Sequence, residues 1–398
     1  MTAQSFFATC PRGLEAVLAH ELAGHGAAGT QTLGGGVRFE GDLAVCYRAN
    51  LRSRIASRVL WRVGEAPYTT EHDVYEAALR LPWPERFRGD LTIRVDVSAI
   101  RSPVKSLEFV TLRVKDAVCD RFRADTGSRP DVDTRTPDVR IHAFLDERSV
   151  TFYLDTSGEP LWKRGWRERT GEAPIRENLA AGIIALTGWQ PDEPFLDPMC
   201  GSGTFLLEAA AIALDRAPGS RRGFGFEKLT GFDASLWRRL RDEAQANEKP
   251  PRPLPIHGSD LYGAELAQAR AAIEVSGLGG AIQLKQANVL ELPPPAPGGV
   301  LVANPPYGVR LGEEKALEAF YPKLGDALKA RFAGWRCYFF TADAARFAKL
   351  VGLKATKRIP LYNGPLECRL LEYRIVAGSM RGKRDGDTQR SPNAGAQS

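Results

Sequence analysis

The chain has 398 residues, 43% hydrophobic and 26% charged, the balance of ordinary globular protein at a length that suits two or three domains. Glycine (39) and proline (27) together make about a sixth of it, below the roughly one quarter that marks low complexity, which excludes collagen, coiled coil and disorder for the chain as a whole. The net charge of +6, with a pI near 9.0, permits a polyanionic partner without demanding one.

Along the first sixty or so residues the pattern reads strand, helix, strand, helix, strand. Residues 5–9 are a short apolar run broken by Pro11 and Gly13. Leu14, Val17, Leu18 and Leu22 then fall at helical spacing, with Gly24 and Gly26 as the stop. Gly34–Gly36 opens an alternating strand, a helix is expected over 43–54, and 58–63 is extended again. Residues 1–65 are thus expected to form an α+β unit of ferredoxin-like size.

A second unit begins near Thr70. A helix over 71–81 ends at Pro82-Trp83-Pro84, and 91–98 alternates strictly as a half-buried strand. A helix over 106–124 and antiparallel strands at 139–145 and 150–154 complete it. Residues 101–140 hold nine Lys/Arg against seven Asp/Glu, which counting alone does not distinguish from a solvated face. Residues 158–173 read as a linker, in which Lys163, Arg164, Arg167 and Arg169 interleave with Trp162 and Trp166. Cations beside indoles suit phosphate and an unpaired base, and tryptophans docking between domains would look the same.

From about 174 the chain alternates strands and helices, the signature of a doubly wound parallel sheet. Helix 175–187, strand 194–197, helix 204–214, strand 254–259, helix 264–276, strands 282–286 and 299–303, helix 315–331 and strand 336–341 follow one another. Two strand-like stretches, 354–361 and 368–376, close the domain, and 378–398 is expected to be a disordered tail.

Chemistry is carried by two turns. Asp197-Pro198-Met199-Cys200-Gly201-Ser202-Gly203-Thr204 leaves a strand and opens a helix. Its glycines admit close approach of a ligand to backbone, and the helix start turns free N–H groups outward. The spacing is neither GxGxxG nor a GK[ST] phosphate loop. An acid before the turn repels a pyrophosphate and attracts a cationic amino group, so the reading is an amino acid joined to a nucleoside: S-adenosylmethionine. Asp260, ending the next strand, suits ribose hydroxyls, and Asn288 after the third strand suits the adenine edge.

Asn304-Pro305-Pro306-Tyr307 follows an apolar strand at the edge where open α/β sheets hold ligands. An exocyclic base amine is a poor nucleophile because its lone pair is delocalised. The Asn304 side chain and the Pro305 carbonyl, held by two prolines, can accept from its two hydrogens and favour a pyramidal nitrogen, while Tyr307 stacks on the flipped base.

Nothing points to another chemistry. The five histidines lack metal spacing, no Gly-x-Ser-x-Gly elbow occurs, and no uncharged apolar stretch approaches the roughly 18 residues of a membrane span. No secretory signal is visible, and six dispersed cysteines without a CxxC pair fit reduced thiols in a cytoplasmic protein. Oligomeric state is left open.

The stretches DPMCGSGTFLLEAA and NPPYGVRLG, together with FFATCPRGLEAVLAHEL, GGVRFEGD, RVKDAVCDRFR, RPDVDTRTPDVRIH, LDTSGEPLWKRGWRERTGEAPIRENLAAGII and LYNGPLECRLLEY, resemble the THUMP-domain, Rossmann-like methyltransferases that modify guanosine N2 in RNA. The resemblance covers about residues 5–376 and is greatest to bacterial enzymes acting on 23S ribosomal RNA or the assembling large subunit; some of these carry a second methyltransferase domain, and here one is expected. It implies a ferredoxin-like domain (1–65), a THUMP domain (66–157) that holds RNA and a class I methyltransferase domain (174–377). It places the cofactor at Asp197, Gly201, Ser202, Gly203, Thr204, Asp260, Asn288 and Asn304, with 174–178 near its methionine end. Catalysis falls to Asn304, Pro305, Pro306 and Tyr307, and no metal is implied. RNA contacts are expected from Lys105, Arg113, Lys115, Arg121 and Arg123 around the 106–124 helix, and from Lys163, Arg164 and Arg167. Two positions depart from the pattern: Tyr262 stands where a second acid is usual, and Asn288 where Asp is usual. A tRNA guanosine-N2 enzyme, a DNA adenine-N6 enzyme sharing the amine chemistry, and a non-catalytic ribosome-assembly factor are the alternatives.

Overall fold

A computed structural model describes residues 3–166, 175–306 and 313–376, the side chains of 313 and 314 excepted. The N-terminal part runs β1 (Gln4–Thr9), α1 (Glu15–Gly24), β2 (Ala28–Leu33), β3 (Gly36–Gly41), α2 (Leu43–Arg52), β4 (Arg58–Pro67), α3 (Glu71–Leu79), β5 (Ile93–Ala99), α4 (Leu107–Thr126), β6 (Val139–Leu145) and β7 (Ser149–Asp155). Local chemistry sets the helix starts. Asp42 accepts from the Val45 N–H at 3.0 Å, Thr70 and Asp73 form a reciprocal capping box, and Ser106 caps α4, which Gly127 ends at φ +76°.

The expected break between two small units does not divide the sheet. Seven strands form one sheet in the order β2-β3-β1-β4-β7-β6-β5. The reason is β4, ten residues long: its first residues pair antiparallel with β1, and its other edge pairs with β7 along nearly its whole length. Strand β2 carries no apolar alternation, because every residue of it is exposed at the sheet's edge.

The remainder runs α5 (Glu177–Thr187), β8 (Phe195–Asp197), α6 (Thr204–Ala213), α7 (Ala234–Asn247), β9 (Ile256–Asp260), α8 (Gly263–Ser276), β10 (Ile282–Gln286), β11 (Gly299–Ala303), α9 (Glu313–Arg331), β12 (Trp335–Thr341), α10 (Ala344–Val351), β13 (Lys357–Asn363) and β14 (Leu366–Arg374). The second sheet has the order β10-β9-β8-β11-β12-β14-β13, parallel through β12 and closed by the antiparallel pair β14 and β13. Helices α7 and α10 are additions to the sequence pattern, each started by an aspartate cap, Asp233 or Asp343.

One buried apolar cluster runs through both sheets, from Phe6 to Leu370, so the N-terminal part and the second sheet share a core. Leu14 fills the space above Gly182 of α5, where a Cβ would lie 2.2 Å from its Cδ1. Tyr47 of α2 stacks on Phe226 with ring centroids 4.3 Å apart, and Trp237 of α7 meets it edge-on. Asn178 donates to Ile55 O at 3.2 Å and Ser57 Oγ at 2.9 Å, so its amide is turned toward the N-terminal part.

Candidate active site

Strands β8, β9 and β11 are neighbours, and their C-terminal ends bring the acid of each of the first two turns beside the Asn304 loop. Asp197 is 2% exposed at the end of β8. Burial, reinforced by the charge of Asp260, holds its carboxyl well above the usual aspartate range, against one stabilising N–H from Met199 at 3.2 Å. Asp260 ties the turns together: Oδ2 accepts the Gly201 N–H at 2.9 Å and Oδ1 the Tyr262 N–H at 3.0 Å. A carboxylate has about four acceptor positions, so each oxygen keeps capacity for a ligand hydroxyl.

The two glycines do different work. Gly201 adopts φ +48°, and a Cβ there would meet nothing nearer than Glu265 Oε2 at 4.0 Å, leaving the backbone open to a ligand. Gly203, at φ +80°, would place a Cβ 3.3 Å from Ala269 Cβ, so its missing side chain lets α6 lie close to α8. Ser202 and Thr204 flank it at the start of α6. Asn288 is half-buried after β10, and its Oδ1 accepts from the Leu290 N–H at 3.0 Å, which leaves its amide N–H groups for a ligand.

Asn304 follows β11, and its Oδ1 is a buried oxygen without a hydrogen-bond partner among the described residues. An unpaired buried acceptor is costly, and this one is free to take a donor from a bound ligand. Pro305 is buried and Pro306 exposed; the Pro306 carbonyl accepts from the Tyr321 hydroxyl at 2.6 Å. Tyr307 and Arg167 lie outside the described residues, as do 378–398 and the last part of the expected linker, 167–173. Two residues were missed by the sequence reading. Glu265 faces Gly201 from the first turn of α8, and Tyr321 reaches the loop from α9. The three-residue step from Tyr262 to Glu265 was a visible signal for the first, whereas nothing local marks the second.

The arrangement fits S-adenosylmethionine. Asp197 would gain a partner from an ammonium and Asp260 from a diol, and the space beside Gly201 is open. Among the described residues no group of three or more His, Cys, Asp or Glu side chains is placed to hold a metal ion, and no helix is long and apolar enough to cross a membrane. All six cysteines are buried free thiols.

The expected RNA-contacting cations separate sharply. Arg164 is a correction: its side chain is 1% exposed, paired at 3.2 Å with the fully buried Glu208, and donates to Arg54 O at 2.7 Å. It sits in the shared core because Glu208 of α6 is buried there and needs a cation. Arg54 alongside donates to the carbonyls of Ala211 and Arg216 at 3.0 and 2.7 Å, near the end of α6. Trp166 is likewise buried in the core, which is the docking role and not the stacking one. Lys115 pairs with Asp116, Arg121 with Asp125, Arg123 with Asp120 and Lys163 with Glu159. Lys105 is exposed at the start of α4, and the Arg113 guanidinium lies 4.2 Å over the Tyr75 ring.

This strand–turn–helix with an acid on each of two adjacent strands, and an Asn-Pro-Pro turn on the next, defines a class I methyltransferase fold. Residues 164–372 match the RMKL-like methyltransferase domain family, and the chain belongs to it. Residues 5–60 match the RlmL ferredoxin-like domain and 68–155 the THUMP domain. The ribosomal RNA large subunit methyltransferase K/L of Aeromonas hydrophila is 41% identical over 96% of this chain; the chain spans about half (56%) of that relative's length. A Synechocystis sp. protein, slr0064, named an RNA methyltransferase by inference, is 38% identical over 94% of this chain and 97% of its own. Among solved structures, SMU.472, described as a methyltransferase by inference and complexed with SAH, superimposes with a TM-score of 0.84 at 33% identity, covering 94% of this chain and 99% of its own. A Listeria monocytogenes protein, described from its sequence as an N6-adenine-specific DNA methylase, gives 0.85 at 34% identity, covering 94% and 97%.

Proposed function

We propose that the protein is a cytoplasmic S-adenosylmethionine-dependent RNA methyltransferase that forms N2-methylguanosine in 23S ribosomal RNA, on naked RNA or an assembling large subunit. The single observation that carries the reading is Asn304: a buried side-chain acceptor with no partner among the described residues, on a proline-stiffened turn, one strand from the Asp197 turn. Bound S-adenosylmethionine supplies an electrophilic methyl group. Asp197 would hold its ammonium, Asp260 its ribose, and the open face of Gly201 its backbone-facing edge; Glu265, whose Oε2 lies 4.0 Å from where a Cβ on Gly201 would be, is an acid on the same side of the turn. Asn304 Oδ1 and the Pro305 carbonyl accept from the two hydrogens of the guanine amine and turn its lone pair toward the methyl carbon. As the amine nitrogen takes the methyl group, the bond from that carbon to the sulfonium sulfur would break and S-adenosylhomocysteine would leave; the two neutral acceptors would stabilise the positive charge on nitrogen until its proton is lost to solvent.

The relatives' names and the THUMP match favour RNA. The name of the Listeria relative favours adenine N6 in DNA as the second reading, because the same two acceptors serve that amine. Mass-spectrometric analysis of methylated nucleosides in RNA and DNA from cells lacking the protein separates them. Loss of N2-methylguanosine at one 23S position is the expected result. Loss of N2-methylguanosine from tRNA alone, loss of N6-methyladenine from DNA, or no loss of any methylated nucleoside would each overturn this reading in favour of one of the alternatives.

A further inference from the structure

The Asn304 turn has an anchoring problem that its own sequence creates. Two consecutive prolines remove two backbone N–H groups, so the ladder that holds β11 between β8 and β12 cannot continue through them. What the turn offers is carbonyls, and a carbonyl is held only by a donor brought from elsewhere. That donor is Tyr321, fifteen residues on in α9, whose hydroxyl reaches Pro306 O at 2.6 Å. The ring is 2% exposed and packed edge-on against Phe347 of α10 at 4.9 Å between centroids, and Phe347 in turn lies 5.0 Å from Phe339 of β12. A rotamer so enclosed fixes the hydroxyl in space. Burial also pushes the phenol up to about 12, so that it stays a donor across the physiological range.

We infer that Tyr321 is a positioning residue for methyl transfer: by holding the Pro306 carbonyl it sets the direction in which Pro305 O and Asn304 Oδ1 face the substrate amine. The inference rests on the function proposed above, and deepens it by placing part of the catalytic geometry in α9. Tyr321 touches no reacting atom. Its effect reaches chemistry through the orientation of two acceptors, and misplacement of reacting groups by about 1 Å costs up to 10²-fold.

Tyr321→Phe keeps the ring and removes the donor. The expected result is a fall in kcat of about tenfold to 10²-fold, with the RNA KM, the S-adenosylmethionine Kd and the melting temperature each close to wild type. Hydrogen exchange at the Asn304 amide should rise in the same variant, a readout that needs no turnover. An unchanged kcat with unchanged exchange overturns the inference, and so does a fall of kcat, cofactor affinity and melting temperature together, which would mark Tyr321 as structural only. The two readings fail separately: a wild type that methylates a base amine other than guanine N2 sinks the proposed substrate, while Tyr321→Phe is still scored on that amine. If the wild type methylates nothing, unchanged exchange at Asn304 still overturns the inference.

Discussion

Removing Arg164 should cost stability and leave RNA affinity alone, the reverse of what its place in a Lys/Arg/Trp-rich segment implies. Its guanidinium is 1% exposed and Glu208 opposite it is 0% exposed, so Arg164→Ala strands a carboxylate in the core shared by the two sheets. Breaking a buried pair from one side typically costs about 3–5 kcal/mol. Two features of the site adjust that figure. Arg54 remains close to Glu208 and offsets part of the loss, while Glu208 Oε2 already lacks a partner among the described residues. Burial raises the Glu208 carboxyl above its ordinary value even in the wild type, and losing Arg164 raises it further. A group whose folded pKa is raised binds more protons folded than unfolded, so stability falls as pH rises through the window above the ordinary glutamate value. Arg164→Ala should therefore be about 3 kcal/mol less stable than wild type near neutrality, and the deficit should shrink as the pH is lowered toward 5. Urea unfolding followed by circular dichroism at pH 5, 6, 7 and 8 measures this. Arg164→Met with Glu208→Leu, which removes both charges and fills the space, should recover most of the loss. If Arg164→Ala unfolded like wild type and instead lost RNA affinity, the buried pair would not be the role of this residue.

Three more outcomes follow from the site. Asp197 is a buried acid raised well above the aspartate range, so binding a cationic ammonium should ionise it: calorimetry in buffers of different ionisation enthalpy should detect proton release on S-adenosylmethionine binding, absent in Asp197→Asn. In the ligand-free protein the same shift makes stability decline as pH rises from the ordinary aspartate value toward the raised one, and the variant should lack that slope. Gly201→Val places a branched side chain in the open space of the turn at a backbone strain of about 1–2 kcal/mol, so cofactor binding should vanish while the melting profile stays close to wild type. Finally, Lys105→Ala with Arg113→Ala should lower RNA affinity and reduce the slope of log K against log salt by about 1.4, at roughly 0.7 per phosphate contact on a single strand; Arg121→Ala, whose cation is spoken for by Asp125, should leave the slope unchanged.

The parts of the fold legible in the sequence are those where one residue's chemistry fixes its own surroundings. Alternating strands and capped helices were placed nearly to their ends, and the Asp197 and Asn304 turns stand at strand ends as their composition demanded. What the sequence hid depends on partners far along the chain. Nothing near Arg164 announces Glu208, forty-four residues on, so a buried cation read as a surface one. The acids that occupy Lys115, Arg121 and Arg123 were in view at spacings of one to four residues on one helix, and only the geometry shows which cation each one takes. Likewise, β4 reads as one strand whether or not both its edges are paired, so a single sheet through two expected units could not be seen. That sharing has a practical consequence: cutting the chain near residue 160 would expose Leu14, Gly182, Tyr47 and Phe226 surfaces, so the RNA platform is better tested by point variants than by truncation.

The central claim is that Asn304 Oδ1, which has no partner among the described residues, receives the substrate's amine. Single-turnover methylation of 23S ribosomal RNA by Asn304→Ala, measured beside the S-adenosylmethionine Kd of the same preparation, tests it. Loss of one preorganised hydrogen bond in the transition state typically costs about 10²–10³ in rate, so turnover should collapse by that factor while cofactor affinity moves only a few-fold. A variant that transfers methyl at close to the wild-type rate, or one that loses cofactor binding in proportion to rate, would contradict the account.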